Sequence, residues 1–294
     1  MNFKTYLEAN ARKLDQRLYE YLFESAGVQP VFDELSKYQN SDGGFGYSLE
    51  PDMRLPDSSA LATTVALQYL AKVNALDNEP AQKAVRYLME TYDNERQCWV
   101  NIPPKADEYP RAPWWNYADV LSWAGWGNPS AEILGYLLEN KDIVNDLQFL
   151  DRISKQAVDR LCAITEPEQH EVKCYVRLYE RAGKELRTKL YDKIAAHIKA
   201  LAKTNLKEWE GYVATPLTFV DSPGSPFADL FDKQTLTDNA NFIKDKIVDG
   251  NHWEPAWQWG RFEDEWPEAK KDWSGKLTVE NLLLLKAFEI KLDA

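Results

Sequence analysis

Cysteine is scarce in this 294-residue chain, and the three present, Cys98, Cys162 and Cys174, show no CxxC spacing. That excludes a disulfide scaffold and a paired-cysteine zinc module; an odd count without a secretory leader reads as reduced thiols in a cytoplasm. Basic residues are outnumbered, 35 against 47 acids, for a net charge of -12. Nucleic acid needs a basic footprint, so it is excluded as a partner. Long apolar runs are missing too. Leu282–Leu285 is far too short for a membrane span. The start of the chain, MNFKTYLEANARKLDQRLYEYL, is charged and amphipathic rather than a leader, so a cytoplasmic location is expected. Alternating β-branched runs are nearly absent, which excludes a sheet-based fold.

What is present is helical. Phe3, Tyr6, Leu7, Leu14, Leu18, Tyr21 and Leu22 recur at helical spacing. The segment Ala60 to Asn74 is apolar on nearly every side, the mark of a buried helix, with Asp57 or Ser58 as the expected N-cap. Glu79 to Tyr92 carries a single stripe, Ala81, Ala84, Val85, Leu88 and Met89, and so reads as half-buried. Asn116 to Trp123 reads as a second short apolar helix, followed by an amphipathic one from Ala131 to Glu139. Further helices are expected over 144–164, 168–182, 187–203, 235–248 and 277–292, about twelve in all.

The order of turn, aromatic residue, acidic or proline-rich loop, apolar helix and amphipathic helix recurs near Phe45, Trp99, Trp209 and Trp253. The gaps are irregular, roughly 45–55 residues, with a weakly marked unit around 150. Apolar helices inside and amphipathic helices outside satisfy both helix types if the hairpins close on themselves. The expected fold is therefore all-α, a single domain spanning 1–294 built as an (α/α)6 toroid of about six helical hairpins; an open solenoid is the competing arrangement.

The residues Gln39-Asn40-Ser41-Asp42-Gly43-Gly44-Phe45-Gly46, followed by Ser59-Ala60-Leu61-Ala62-Thr63-Thr64-Val65-Ala66-Leu67, resemble the prenyltransferase and squalene-oxidase repeat of class II terpene cyclases and protein prenyltransferase β subunits. Gly250 to Phe288 is similar more loosely, and direct matching covers about a quarter of the chain. The resemblance implies an α-α barrel around an apolar cavity. Its functional motifs are incomplete. Where class II cyclases carry D-x-D-D-T-A, this chain reads Leu55-Pro56-Asp57-Ser58-Ser59-Ala60, so only the middle acid, the family's proton donor, is matched, by Asp57. No cysteine has an aspartate two positions before it, as the zinc site of the prenyltransferases requires.

Three constellations could carry chemistry. Glu50, Asp52 and Asp57 lie between the glycine turn and the apolar helix; a desolvated carboxyl there could protonate an alkene or a glycosidic oxygen. The plainer alternative has Asp57 capping the helix and Glu50 and Asp52 paired with Arg54. A Trp-acid loop holds His252, Trp253, Glu254, Trp257, Trp259, Arg261, Glu263, Asp264, Glu265, Trp266, Asp272 and Trp273. Its rings suit sugar faces or a cation. The third group is Glu108, Tyr109, Arg111, Trp114, Trp115, Asn116, Tyr117 and Asp119. Closure of the toroid brings the three loops together. The expected catalytic residues are then Asp57, Glu50 and Asp52, and the expected substrate-binding residues Phe45, Trp114, Trp115, Tyr117, Trp253, Glu254, Trp257 and Trp259. His170 and Cys174 are four apart on one helix face but lack further ligands, so no metal and no cofactor is expected. The expected function is binding or transformation of an apolar, isoprenoid-like small molecule with a carboxylic acid as proton donor. The alternatives are a carbohydrate-active (α/α) barrel and a non-catalytic binding scaffold.

Overall fold

A computed structural model describes residues 2–123 and 125–292. Fourteen α-helices and no strand occur among the described residues; the only sheet-like pairing there is a set of isolated bridges. The chain divides into two compact units. One combines the segment up to Lys37 with that from Ala202 onward, and the other runs from Tyr38 to Leu201.

In the first unit α1 (Phe3–Asn10), α2 (Lys13–Phe23) and α3 (Gln29–Leu35) begin the chain. Asn2 caps α1 by accepting from the Thr5 amide, and Pro30 occupies the first turn of α3, where its missing N–H is not needed. The second unit holds α4 (Ala60–Lys72), α5 (Glu79–Glu90), α6 (Tyr117–Trp123), α7 (Gly127–Glu139), α8 (Lys141–Val144), α9 (Leu147–Ala163), α10 (Gln169–Arg181) and α11 (Lys184–Leu201). The first unit is completed by α12 (Pro216–Phe219), α13 (Lys233–Asp245) and α14 (Trp266–Ala287).

Helix α4 is buried on almost every side, from Ala60 to Leu67 and again at Tyr69 and Leu70, as its composition predicts. Its N-cap is Ser59, whose hydroxyl accepts from the Ala62 amide at 3.1 Å, rather than Asp57 or Ser58. Helix α5 buries Ala81, Ala84, Val85, Tyr87 and Leu88 and turns the rest outward.

Two further expectations need correction. In α6 only Val120 is buried among the residues whose side chains are described, while α7 is buried at Gly127 and from Pro129 to Leu137. The buried helix of this part of the chain is therefore α7, not 116–123. Its EILGYLL sequence is apolar all round except for Glu132, and Gly135 lets α10 approach: a Cβ there would lie 3.2 Å from the Leu178 Cα. Asn128 departs from helical geometry because the residue before a proline is pushed out of the α region. The last helix also starts eleven residues before the expected Leu277, at Trp266. Pro267 in its first turn starts it rather than breaking it. Gly275 serves packing, since a Cβ would meet that of Ala11 at 2.6 Å.

One local device recurs three times. The turns around Phe45, Trp99 and Trp253 each form a short antiparallel bridge, Gln39 with Phe45, Asp93 with Cys98, and Val248 with His252. In each the buried aromatic residue's amide donates to a hydroxyl on a later helix: Phe45 to Thr63 at 3.0 Å, Trp99 to Ser130 at 3.0 Å, Trp253 to Thr278 at 3.1 Å. The two indoles also donate to the end of the preceding helix, Trp99 to the Leu88 carbonyl at 2.6 Å and Trp253 to that of Ile243 at 2.7 Å. A buried amide must find an acceptor, and a threonine or serine on an otherwise apolar helix supplies it. Trp209 is held differently, by its indole on the Lys203 carbonyl and its ring edge-on to Phe242.

Candidate functional site

The glycine-rich motif builds a clamp for the loop that follows it. The Gln39 amide donates to the Gly43 and Pro80 carbonyls, each at 3.0 Å. Asn40 donates to the Pro56 carbonyl at 3.0 Å and to the Ser58 hydroxyl at 3.1 Å. Asp42 accepts from the Gly44 amide at 2.9 Å and from Ser58 at 2.7 Å. Gly43 has φ +89°, open to glycine without a steric penalty, and a Cβ on Gly46 would lie 2.2 Å from the Pro56 carbonyl oxygen. The two ends of loop 46–57 are thus pressed together. Tyr47 and Ser48 follow with φ of 51° and 63°, unusual for side chains of this kind, and Tyr47 stays half exposed.

The second loop, 101–119, is organised around Arg111. Its buried guanidinium donates to the Asp107 and Tyr109 carbonyls, each at 2.9 Å, and to the Asn116 side-chain oxygen at 2.9 Å, and pairs with the Asp107 carboxylate at 2.8 Å. Asn116 in turn donates to Asp119 at 2.9 Å, and Asp107 accepts from the Tyr117 amide at 3.1 Å.

These two loops are sewn to one another. Met53 and Arg111 form an antiparallel bridge; the Arg54 amide donates to the Pro110 carbonyl at 3.0 Å and the Ala112 amide to that of Asp52 at 2.9 Å. The Leu61 amide, at the start of α4, donates to the Asn101 carbonyl at 2.9 Å. Lys105 reaches Asp57 at 2.6 Å.

The named acids separate by environment. Glu50 and Asp52 are buried, 7% and 3% exposed, whereas the Asp57 side chain is 47% exposed in its ion pair with Lys105. Phe45 is wholly buried. Trp115 is buried, and its indole N–H meets no hydrogen-bond acceptor among the described residues. Trp114 and Tyr117 are half-buried, and Leu121 of α6 is exposed.

The Trp-acid loop belongs to the other unit. There Trp253 is buried and stacked on Phe3 with centroids 5.5 Å apart. Glu254 hydrogen-bonds Lys270 at 2.8 Å and lies 3.6 Å from His252; the Lys270 bond, above all, holds its carboxyl below the usual range. Trp257 packs edge-on to Tyr212 and Trp273, and the buried Trp259 tilts against Trp266. Trp266 and Trp273 sit on α14 rather than in a loop.

A buried polar cluster also lies between α7 and α10. Glu132, 2% exposed, accepts from Gln68 at 2.9 Å, Tyr136 at 3.1 Å and Arg177 at 2.7 Å, with the Cys174 thiol at 3.6 Å. Burial, reinforced by the Glu132 charge, pushes that thiol well up. His170 is exposed beside Glu168, whereas Cys174 is buried. Nearby, Glu171 accepts from the Gly127 amide at 2.8 Å, and burial raises its carboxyl. A lone acid inside the apolar α7 sequence was the available signal for this cluster.

No family model, curated protein or solved structure matches the chain. The local resemblance of 39–67 therefore rests on those residues alone.

Proposed function

We propose that the chain binds an apolar, isoprenoid-like small molecule at the mouth formed by loops 46–57 and 101–119, on helical hairpins closed as an (α/α) toroid of the terpene cyclase and prenyltransferase type. The observation that carries this reading is the backbone pairing of the two loops at Asp52–Ala112 and Arg54–Pro110. It makes one preorganised surface from two hairpin units, and preorganisation lowers the entropy cost of binding. Tyr47, Trp114, Tyr117 and Leu121 give that surface accessible apolar area. The hydroxyl-capped aromatic turns at Phe45, Trp99 and Trp253 support the repeat on which a toroid is built.

Binding without turnover is the form we favour, because Asp57, the acid aligned with the family's proton donor, faces water in an ion pair. Protonation needs an acid shielded from solvent. A second reading places proton transfer on Glu50 or Asp52, and their burial favours it.

The test is a thermal-shift and calorimetric screen of polyprenols, isoprenoid diphosphates and oligosaccharides, since a ligand selective for the folded form raises the melting temperature. The binding reading expects a polyprenol to stabilise the protein, and Trp114→Ala to remove the effect. Stabilisation by oligosaccharides alone would favour the carbohydrate reading instead. Turnover lost in Glu50→Gln but kept in Asp57→Asn would establish the second reading.

A further inference from the structure

Helices α10 and α11 frame an open notch of about 460 Å³ lined by Tyr179, Lys184, Arg187, Thr188, Tyr191 and Asp192, none of which belongs to the loop site. That volume lies within the range of small-molecule sites. The geometry points to a binding site for a ring-bearing, hydroxylated anion of nucleoside monophosphate size.

Three features carry the assignment. The Tyr179 and Tyr191 rings are 5.9 Å apart and inclined by 52°, and with Arg187 lying over the Tyr179 ring a planar base would meet the Tyr191 side of the notch. Two cations stand beside these rings. Arg187 is fixed by donating from Nε to the Tyr179 carbonyl at 2.8 Å and from its other end to the Glu180 carbonyl, and its guanidinium lies 5.5 Å from the Tyr179 ring centre. Its position is therefore set before any ligand arrives. Lys184 opens α11, and neither cation is paired with a carboxylate among the described residues, whereas the adjacent Lys189 is held by Glu185 at 2.6 Å. In a chain of net charge -12, two adjacent cations left to carbonyls and water mark a locally positive spot.

The third feature is spacing. Lys184, Thr188 and Asp192 follow one another at i, i+4 and i+8 on one face of α11. Eight residues of helix span about 12 Å. A phosphate held at Lys184 therefore places ribose hydroxyls near Asp192, whose carboxylate can accept from both, with the base on the Tyr191 side. Asp192 faces the notch as an exposed carboxylate, which suits hydroxyl donors and opposes a second anion.

Isothermal titration of the full chain with AMP, adenosine and inorganic phosphate tests the assignment. AMP is expected to bind in the sub-millimolar range, more tightly than adenosine or phosphate by about tenfold. Lys184→Ala should weaken AMP at least about fivefold, and Asp192→Asn should weaken AMP and adenosine while sparing phosphate. Both side chains are exposed, so neither change endangers folding. No AMP binding at about 5 mM, phosphate binding as tight as AMP, or AMP affinity unmoved by both substitutions would each overturn it.

Discussion

The Phe45 amide and the Thr63 hydroxyl, eighteen residues apart in sequence, meet at 3.0 Å inside the protein. This bond ties the glycine turn to the first turn of α4 and so sets where loop 46–57 begins. Thr63→Val keeps the shape of the side chain and removes the acceptor, leaving a buried amide unsatisfied. The expected loss is about 1–3 kcal/mol, read from the urea midpoint, with Thr63→Ser retaining most of the stability. An unchanged midpoint in the valine variant would show that the bond does not hold the turn.

Gly46→Ala drives a Cβ into the Pro56 backbone, which has no flexible side-chain end to yield. A loss of about 2–3 kcal/mol is expected, with faster proteolysis inside 46–57. Gly27→Ala is the control. Its Cβ would enter open space, and the change should stay within about 0.5 kcal/mol.

Arg111 holds three loop carbonyls, Asn116 and Asp107 at once. Lysine carries the charge but lacks the planar fork, so Arg111→Lys should cost at least about 2 kcal/mol. Loss of protection of the Ala112 amide in hydrogen exchange would report that the two loops had parted.

The Lys105–Asp57 pair, by contrast, is half exposed on both sides. Asp57→Asn should change stability by less than about 1 kcal/mol, and less again at high salt. A larger loss would give Asp57 a structural role that its ion pair does not explain.

Glu171 gives a pH signature. Burial raises its carboxyl above the ordinary 4.5, against the opposing Gly127 hydrogen bond, with Glu168 adding to the rise. The folded state therefore binds the proton more tightly than the unfolded chain. Its contribution is greatest at low pH and is lost as pH climbs from about 4.5 through the raised value. The stability of wild type minus that of Glu171→Gln should fall over that interval and level off above it. A difference that rises with pH would contradict the burial of this carboxyl.

Several features of this protein were legible in the order of its residues. The all-round apolar run of α4 and the one-sided stripe of α5 are statements about local period, and helices obey local period. The turn at Gly43-Gly44-Phe45-Gly46 was legible for a similar reason, since positive φ and close backbone approach select glycine. The placement of α6 and α7 was not. Both segments are rich in apolar residues, and which one is enclosed depends on α10 closing over Gly135, a contact between residues far apart in the chain. The same holds for Asp57, whose partner Lys105 lies 48 positions away, and for Glu132, which reads as an anomaly until Gln68 and Arg177 arrive from other helices. Period and turn chemistry act over a few residues and were set by the sequence alone. Which helix is enclosed and which acid is buried were decided only by tertiary packing, because burial is a property of neighbours and not of spacing.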